Sequence, residues 1–218
     1  MKKNKILYTN GCSLTYGTES VPQQDQWMNY SWPSYLGKLL NYDVVNDAVM
    51  NCSNDSIVRR TKLYLTKHNP DLVIIGWTSA NRYEVFSRNP VKMIDGYYEY
   101  DDDGDNWIQC TVHSLENNHY GHLSGVAKFV KHILSNKPQE NYDNAVNNLS
   151  NYLENKNVKY VFFNGYDTTN NKDKMFLPDT DATYYKYMVK NNIRPTKTYH
   201  FTKEANQLWA QKLFEHLT

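Results

Sequence analysis

The sequence is short of the features that mark several protein classes. Only three of its 218 residues are cysteines, Cys12, Cys52 and Cys110. An odd set without Cys-x-x-Cys spacing argues against a disulfide framework or a zinc knuckle and fits a reducing, cytoplasmic compartment. Long apolar runs are missing too. Ile6-Leu7-Tyr8, after the basic Met1-Lys2-Lys3-Asn4-Lys5, is too short for the core of a signal peptide, and no run approaches membrane-spanning length. Nor is one sign of charge in surplus: 24 Lys and Arg against 23 Asp and Glu leave a net charge of +1. Nothing there calls for a polyanion, so neither nucleic acid nor a membrane is an expected partner. With no repeats, linkers or low-complexity tracts, residues 1–218 are expected to form one domain around one core.

What is present is an alternation of strand and helix patterns. Lys5–Tyr8 reads as a short buried strand running into the polar turn Asn10-Gly11-Cys12-Ser13. Trp32, Tyr35, Leu36, Leu39 and Leu40 recur at helical spacing, with Pro33 tolerated in a first turn, and Tyr42–Asn46 reads as a second strand. A helix carrying Ile57, Thr61, Tyr64 and Leu65, capped by Asn54 or Asp55, ends near His68-Asn69-Pro70. Asp71–Gly76 is a continuous, β-branched apolar run, the pattern of a strand covered on both faces. Periodicity then fails from about 81 to 124, which reads as an inserted irregular or hairpin segment near the active face. Its Asp101-Asp102-Asp103-Gly104-Asp105 has the glycine at the wrong offset for an EF-hand. Helical spacing resumes at Tyr142, Ala145, Val146, Leu149 and Leu153, a strand follows at Val158–Asn164, and a last helix opens just after His200-Phe201-Thr202.

Such alternation predicts a parallel sheet with helices on both faces and a ligand site at the carboxyl ends of its strands. Three loops should converge there: Gly11–Gly17, Asn46–Asn54 and Gly76–Ser79. They bring a serine to an edge where other loops can supply the base and the oxyanion donors that a seryl nucleophile requires.

Gly11-Cys12-Ser13-Leu14-Thr15-Tyr16-Gly17 resembles the first block of the SGNH (GDSL-like) hydrolases, Gly-Asp-Ser followed by a downstream glycine. Cys12 in place of Asp resembles a variant associated with hydrolase-like proteins of bacteriophage genomes. Asn46 to Arg59 resembles the second block through its Asn-x-Ala opening, Ser53-Asn54-Asp55, Ile57 and Arg59; the family's oxyanion glycine aligns with Asn51. Thr78 stands where the third block has its oxyanion asparagine. His200-Phe201-Thr202, with Ala205 and Trp209 beyond, resembles the last block, although Lys197 occupies the place of the family's Asp.

The resemblance, in block order from Gly11 to His200, implies an α/β fold: a three-layer α/β/α sandwich with a mostly parallel, flavodoxin-like sheet. It also implies a serine hydrolase acting on carboxylesters or O-acetyl groups, including those of glycans, with no metal and no cofactor. Ser13 would be the nucleophile and His200 the general base. The amides of Ser13 and of Asn51 or Cys52, with Thr78, would hold the oxyanion, and Arg82 would bind an anionic or polar substrate group. Asn54 either contributes to that site or, with Ser53, caps a helix. With Lys197 in the acid's place, either His200 is oriented by a backbone carbonyl or another carboxylate, of which Asp179 and Asp181 are the nearest upstream, or the chain is a non-catalytic carbohydrate- or protein-binding module on the same fold.

Simpler roles compete. Cys12 is either a second nucleophile or, as small cysteines more often are, a packing residue. His113, His119 and His122 lack the Cys or carboxylate partners of a metal site and read as surface. Trp77, Tyr97, Tyr98, Trp107 and Tyr120 line a sugar cleft or form the core of the insert.

Overall fold

The computed structural model describes residues 4–94, 97–100, 105–111, 138–177 and 183–218. Strand β1 (Lys5–Gly11) runs three residues further than its apolar pattern, carrying Thr9, Asn10 and Gly11 into the sheet. It lies between β2 (Tyr42–Asn46) and β3 (Leu72–Trp77), and β7 (Tyr160–Asn164) pairs with the far side of β3. All three pairings are parallel. All six residues of β3 are buried, as a strand flanked on both sides and covered on both faces must be.

The helices are α1 (Ser13–Tyr16), α2 (Trp32–Leu40), α3 (Asn54–Lys67), α4 (Pro138–Asn155), α5 (Tyr184–Lys190) and α6 (Lys203–Leu217). Successive side chains of a strand point to opposite faces, and on β7 this divides the core. Phe163 meets Trp32 of α2 at 5.5 Å and Trp209 of α6 at 5.1 Å, while Phe162 meets Trp77 at 5.2 Å, and Trp77 in turn meets Tyr142 of α4 at 6.3 Å between ring centroids. Helices α2 and α6 pack together, as do α3 and α4. The result is a mostly parallel sheet between helices, the SGNH-hydrolase arrangement.

Helix ends follow local chemistry. Ser53, one residue ahead of the expected cap, accepts the Ser56 amide at 3.1 Å and opens α3. The chain leaves α2 through Asn41 in the left-handed region, φ 56°. Leu39, on the expected apolar stripe of α2, is 43% exposed because α2 turns mainly Trp32, Pro33, Leu36 and Gly37 inward. Helix α5 and a 3-10 helix at Gln24–Tyr30 are additions that the apolar spacing does not announce.

The irregular region contains a second, antiparallel sheet in which β4 (Arg82–Ile94) lies between β5 (Tyr97–Tyr100) and β6 (Asp105–Thr111). It is clamped to α3. Arg59 donates to both oxygens of Glu84 at 2.9 Å and stacks over the Trp107 ring at 4.4 Å, and Gln109 accepts the Ser53 amide at 3.0 Å. Trp107 is thus a docking residue of the hairpin, and Trp77, wholly buried, is core rather than cleft. Asp101 to Gly104, His113, His119, His122, Tyr120, Asp179 and Asp181 lie outside the described residues, as do the side chains of Tyr97 and Tyr98. No helix among the described residues is long and apolar enough to cross a membrane.

Candidate active site

Strand order β2-β1-β3 makes the carboxyl end of β1 a topological switch point, since the chain leaves β1 toward β2 on one side and returns through β3 on the other. Ser13 is the second residue past β1 and Thr78 the first past β3. At these ends two glycines face each other, Gly11 opposite Gly76. A Cβ on Gly11 would fall 2.3 Å from Thr15 Oγ1 and 2.8 Å from the Gly76 carbonyl oxygen; one on Gly76 would fall 2.7 Å from Thr15 Oγ1. The glycines therefore make the room into which Thr15 inserts, and that seats the single turn of α1 against the sheet.

Around Ser13, Asn46 Nδ2 donates to the Thr15 carbonyl at 3.1 Å, and Gly11 accepts the Val49 amide at 3.1 Å and the Cys52 thiol at 3.1 Å. The second loop is thereby tied to the first. Asn51 has φ 61°, a left-handed conformation that a glycine meets at no cost and that asparagine tolerates better than most residues. This explains how the chain keeps the loop without the glycine. The Cys52 amide donates to the Val49 carbonyl at 3.3 Å, which leaves the Asn51 amide as the one of the pair with no intramolecular acceptor among the described residues.

Asn54 is 5% exposed and works on the backbone. Its Oδ1 accepts the Thr78 amide at 3.0 Å and its Nδ2 donates to the Thr78 carbonyl at 3.2 Å, so it holds the third loop in place. The Thr78 hydroxyl is fully buried and has no partner among the described residues. All three cysteines are free and buried. Burial pushes the Cys52 thiol far above its ordinary pKa, with the charge-charge effect of Cys12 adding to it, so Cys52 stays protonated and unreactive.

His200 reaches the site on the loop before α6. That loop is closed by the Thr196 amide donating to the His200 carbonyl at 2.8 Å, and it is pinned to the segment after α1 by the Lys203 amide donating to the Ser20 carbonyl at 2.9 Å. Between the two segments lies Glu19, which the sequence reading missed. Its carboxylate accepts from the Thr196 hydroxyl and, at 2.5 Å, from the Thr198 hydroxyl. Glu19 Oε2 is 3.8 Å from His200 Nδ1, and the Thr198 oxygen is 3.2 Å from the same nitrogen. Glu19 and Tyr199 both have left-handed backbones, φ 60° and 64°, a strain that the surrounding contacts must hold. Lys197, where a family Asp would stand, is exposed.

Burial lowers the His200 pKa and the Arg82 charge lowers it further, while Glu19 opposes both; the balance lies below the ordinary histidine value. Glu19 itself is pushed up by burial, but the Thr196 and Thr198 hydrogen bonds and the His200 charge outweigh that and hold it low and ionised. Ser13 is 4% exposed, and Tyr166, a second residue that no motif pointed to, lies beside it; burial raises the Tyr166 pKa and keeps the phenol neutral. Among the described residues no hydrogen bond joins Ser13 to His200, and no cluster of three His, Cys, Asp or Glu is placed to hold a metal.

The mostly parallel four-stranded sheet with its helices matches the SGNH hydrolase-like fold. Residues 18–176 match a family of unknown function, DUF6071, and the chain belongs to that family. The matched stretch includes Glu19, Asn51, Asn54, Thr78, Arg82 and Tyr166, and lies between Ser13 and His200. No curated protein matches the chain. Among solved structures it is similar to TesA, at 13% identity over 98% of each chain with a TM-score of 0.53. It is also similar to the psychrotrophic esterase EstA from Pseudoalteromonas sp., at 12% identity over 98% of this chain and 97% of that one with a TM-score of 0.52. A carbohydrate acetylesterase family member from Sinorhizobium meliloti has 12% identity over the same shares and a TM-score of 0.51. At such identities the likeness establishes the fold and leaves the chemistry to the site.

Proposed function

We propose that the chain is a serine hydrolase of carboxylesters or O-acetyl groups, including those on glycans, with Ser13 as nucleophile and His200 as general base. The observation that carries this reading is the setting of His200. Its Nδ1 faces Thr198 and Glu19, so a proton on Nδ1 is held there and Nε2 is left as the acceptor. Because Thr198 donates to Glu19, its oxygen can accept from Nδ1–H, and the carboxylate acts on the imidazole through the hydroxyl as well as directly.

In this mechanism Ser13 Oγ attacks the ester carbonyl as its proton passes to His200 Nε2. The amides of Ser13 and Asn51 meet the tetrahedral oxyanion, the imidazolium protonates the departing alcohol, and water activated by the same histidine releases the acid. Asn54 keeps the Thr78 loop from collapsing into the site. Ser13 must turn to His200 as substrate enters, in line with catalytic hydrogen bonds that tighten only in the substrate complex.

One observation favours a second reading, a binding module on the same fold: among the described residues no hydrogen bond joins the Ser13 hydroxyl to His200. A fluorophosphonate probe separates the two. Labelling of Ser13, located by mass spectrometry and lost in Ser13→Ala and His200→Ala, is the expected result; well-folded protein that takes up no label would establish the binding module instead.

A further inference from the structure

Arg59, Arg60 and Arg82 lie on α3 and β4 near the carboxyl edge of the sheet, and among the described residues carboxylates hold the first two. Arg59 is held by both oxygens of Glu84, and Arg60 by Asp47. Arg82, the first residue of β4, has no carboxylate partner among the described residues. Its guanidinium carbon lies 5.8 Å from the centroid of the Tyr166 ring, and its Nη1 is buried without an acceptor.

A guanidinium keeps its charge at any accessible pH, and leaving one of its donors desolvated and unpaired costs at least about 1–3 kcal/mol. Folded chains seldom retain such a donor without use. Arg82 is retained near the nucleophile, because the Tyr166 ring it covers belongs to the side chain that lies beside Ser13. The field of Arg82 is also felt at His200 and at the Cys52 thiol, on two other loops of the site. An unneutralised, planar, forked donor next to a seryl oxygen is complementary to a carboxylate.

Resting on the ester-hydrolase reading, we propose that Arg82 forms a subsite for a carboxylate carried by the substrate, so that the protein acts on esters bearing a carboxylate near the scissile bond rather than on neutral acyl esters. The carboxylate pairs with the Arg82 fork while Ser13 faces the ester carbonyl. Aliphatic lipid esters, which leave the guanidinium desolvated and unpaired, are disfavoured by the same donor.

The test uses pairs of esters alike in size and different in charge: monoethyl succinate against ethyl butanoate for a carboxylate on the acyl side, and O-acetylglycolate against ethyl acetate for one on the alcohol side. Hydrolysis is followed by proton NMR in the wild type, Arg82→Gln and Arg82→Lys, with circular dichroism to confirm folding. The expected result is a preference of about tenfold or more in kcat/KM for the anionic member of at least one pair, abolished in Arg82→Gln and partly kept in Arg82→Lys, a factor worth about 1.4 kcal/mol. No preference in either pair, or equal loss on both members in Arg82→Gln, would overturn the proposal; the latter would make Arg82 an oxyanion donor. Calorimetric binding of the same ligands to Ser13→Ala and to Ser13→Ala/Arg82→Gln needs no catalysis. Arg82-dependent binding of the anionic members without hydrolysis or fluorophosphonate labelling would sink the hydrolase reading and keep the subsite. Binding that ethyl phosphate matches or exceeds would overturn the carboxylate assignment.

Discussion

Glu19 Oε2 lies 3.8 Å from His200 Nδ1, joining the loop after the first strand to the loop before the last helix. Thr198 sits between them, donating to Glu19 at 2.5 Å with its oxygen 3.2 Å from the imidazole. In the proposed mechanism this pair replaces the missing Asp at Lys197. The carboxylate arrives from the opposite end of the chain and fixes the same ring nitrogen.

Replacing Glu19 with Gln should therefore harm catalysis in a particular way. Glu19 raises the His200 pKa, so its removal lets burial and Arg82 lower that pKa further. The acid limb of kcat/KM, which reports the free-enzyme base, should move to lower pH. Thr198 still meets Nδ1, so kcat should fall by less than the roughly 10⁴-fold seen when a triad acid is lost outright. An unchanged limb together with an unchanged kcat would remove Glu19 from the mechanism.

Arg82→Gln should move the same limb the other way. The arginine charge lowers the His200 pKa, so without it the imidazole titrates at higher pH and activity on a neutral ester fades at a higher pH as the solution is acidified. Opposite displacements in the two variants, read from pH–rate profiles, would place both charges about His200; displacements of the same sign would contradict the geometry.

At Asn51 the backbone conformation makes the prediction. With φ 61°, Asn51→Gly should keep the melting temperature of the wild type, whereas Asn51→Val should cost about 1–2 kcal/mol. For a chain of this size that amounts to a Tm lower by about 2–8 °C in calorimetry. Equal stabilities of the Gly and Val variants would mean that the loop relaxes to another conformation.

Gly76→Ala should disturb the site through packing. The added Cβ would lie 2.6 Å from Phe163 Cζ and 2.7 Å from Thr15 Oγ1, so ring and threonine must both shift, at about 1–3 kcal/mol. Because Thr15 seats α1, fluorophosphonate labelling of Ser13 should slow in the folded variant. Labelling at the wild-type rate would show that α1 does not depend on that fit.

Much of the frame was legible in the chain. The bounds of β2 and α2 follow their residue patterns, β3 is offset by one residue from its apolar run, and the region where periodicity failed holds the second sheet. Three things were not legible. Strand β1 continues through Thr9, Asn10 and Gly11, polar and small residues that an apolar pattern does not count. Their burial is made good by local bonds such as Asn10 Nδ2 to Thr61 Oγ1 at 3.1 Å and Asn10 Oδ1 to the Gly11 amide at 2.7 Å. Asn54 looks like a cap or an oxyanion donor in sequence, and only the fold shows its amide clasping Thr78. Glu19 and Tyr166 belong to no motif, and their nearness to His200 and Ser13 exists only once distant loops meet.

By itself, then, the sequence determined the alternation of strands and helices and the arrival of Ser13 at a strand end, because periodicity and turn chemistry are properties of neighbouring residues. Only the tertiary structure decided which carboxylate faces His200, which side chain lies beside Ser13 and which arginine is left without a carboxylate. Electrostatic pairing depends on distance in space, and these pairs are assembled from loops that the chain itself keeps far apart.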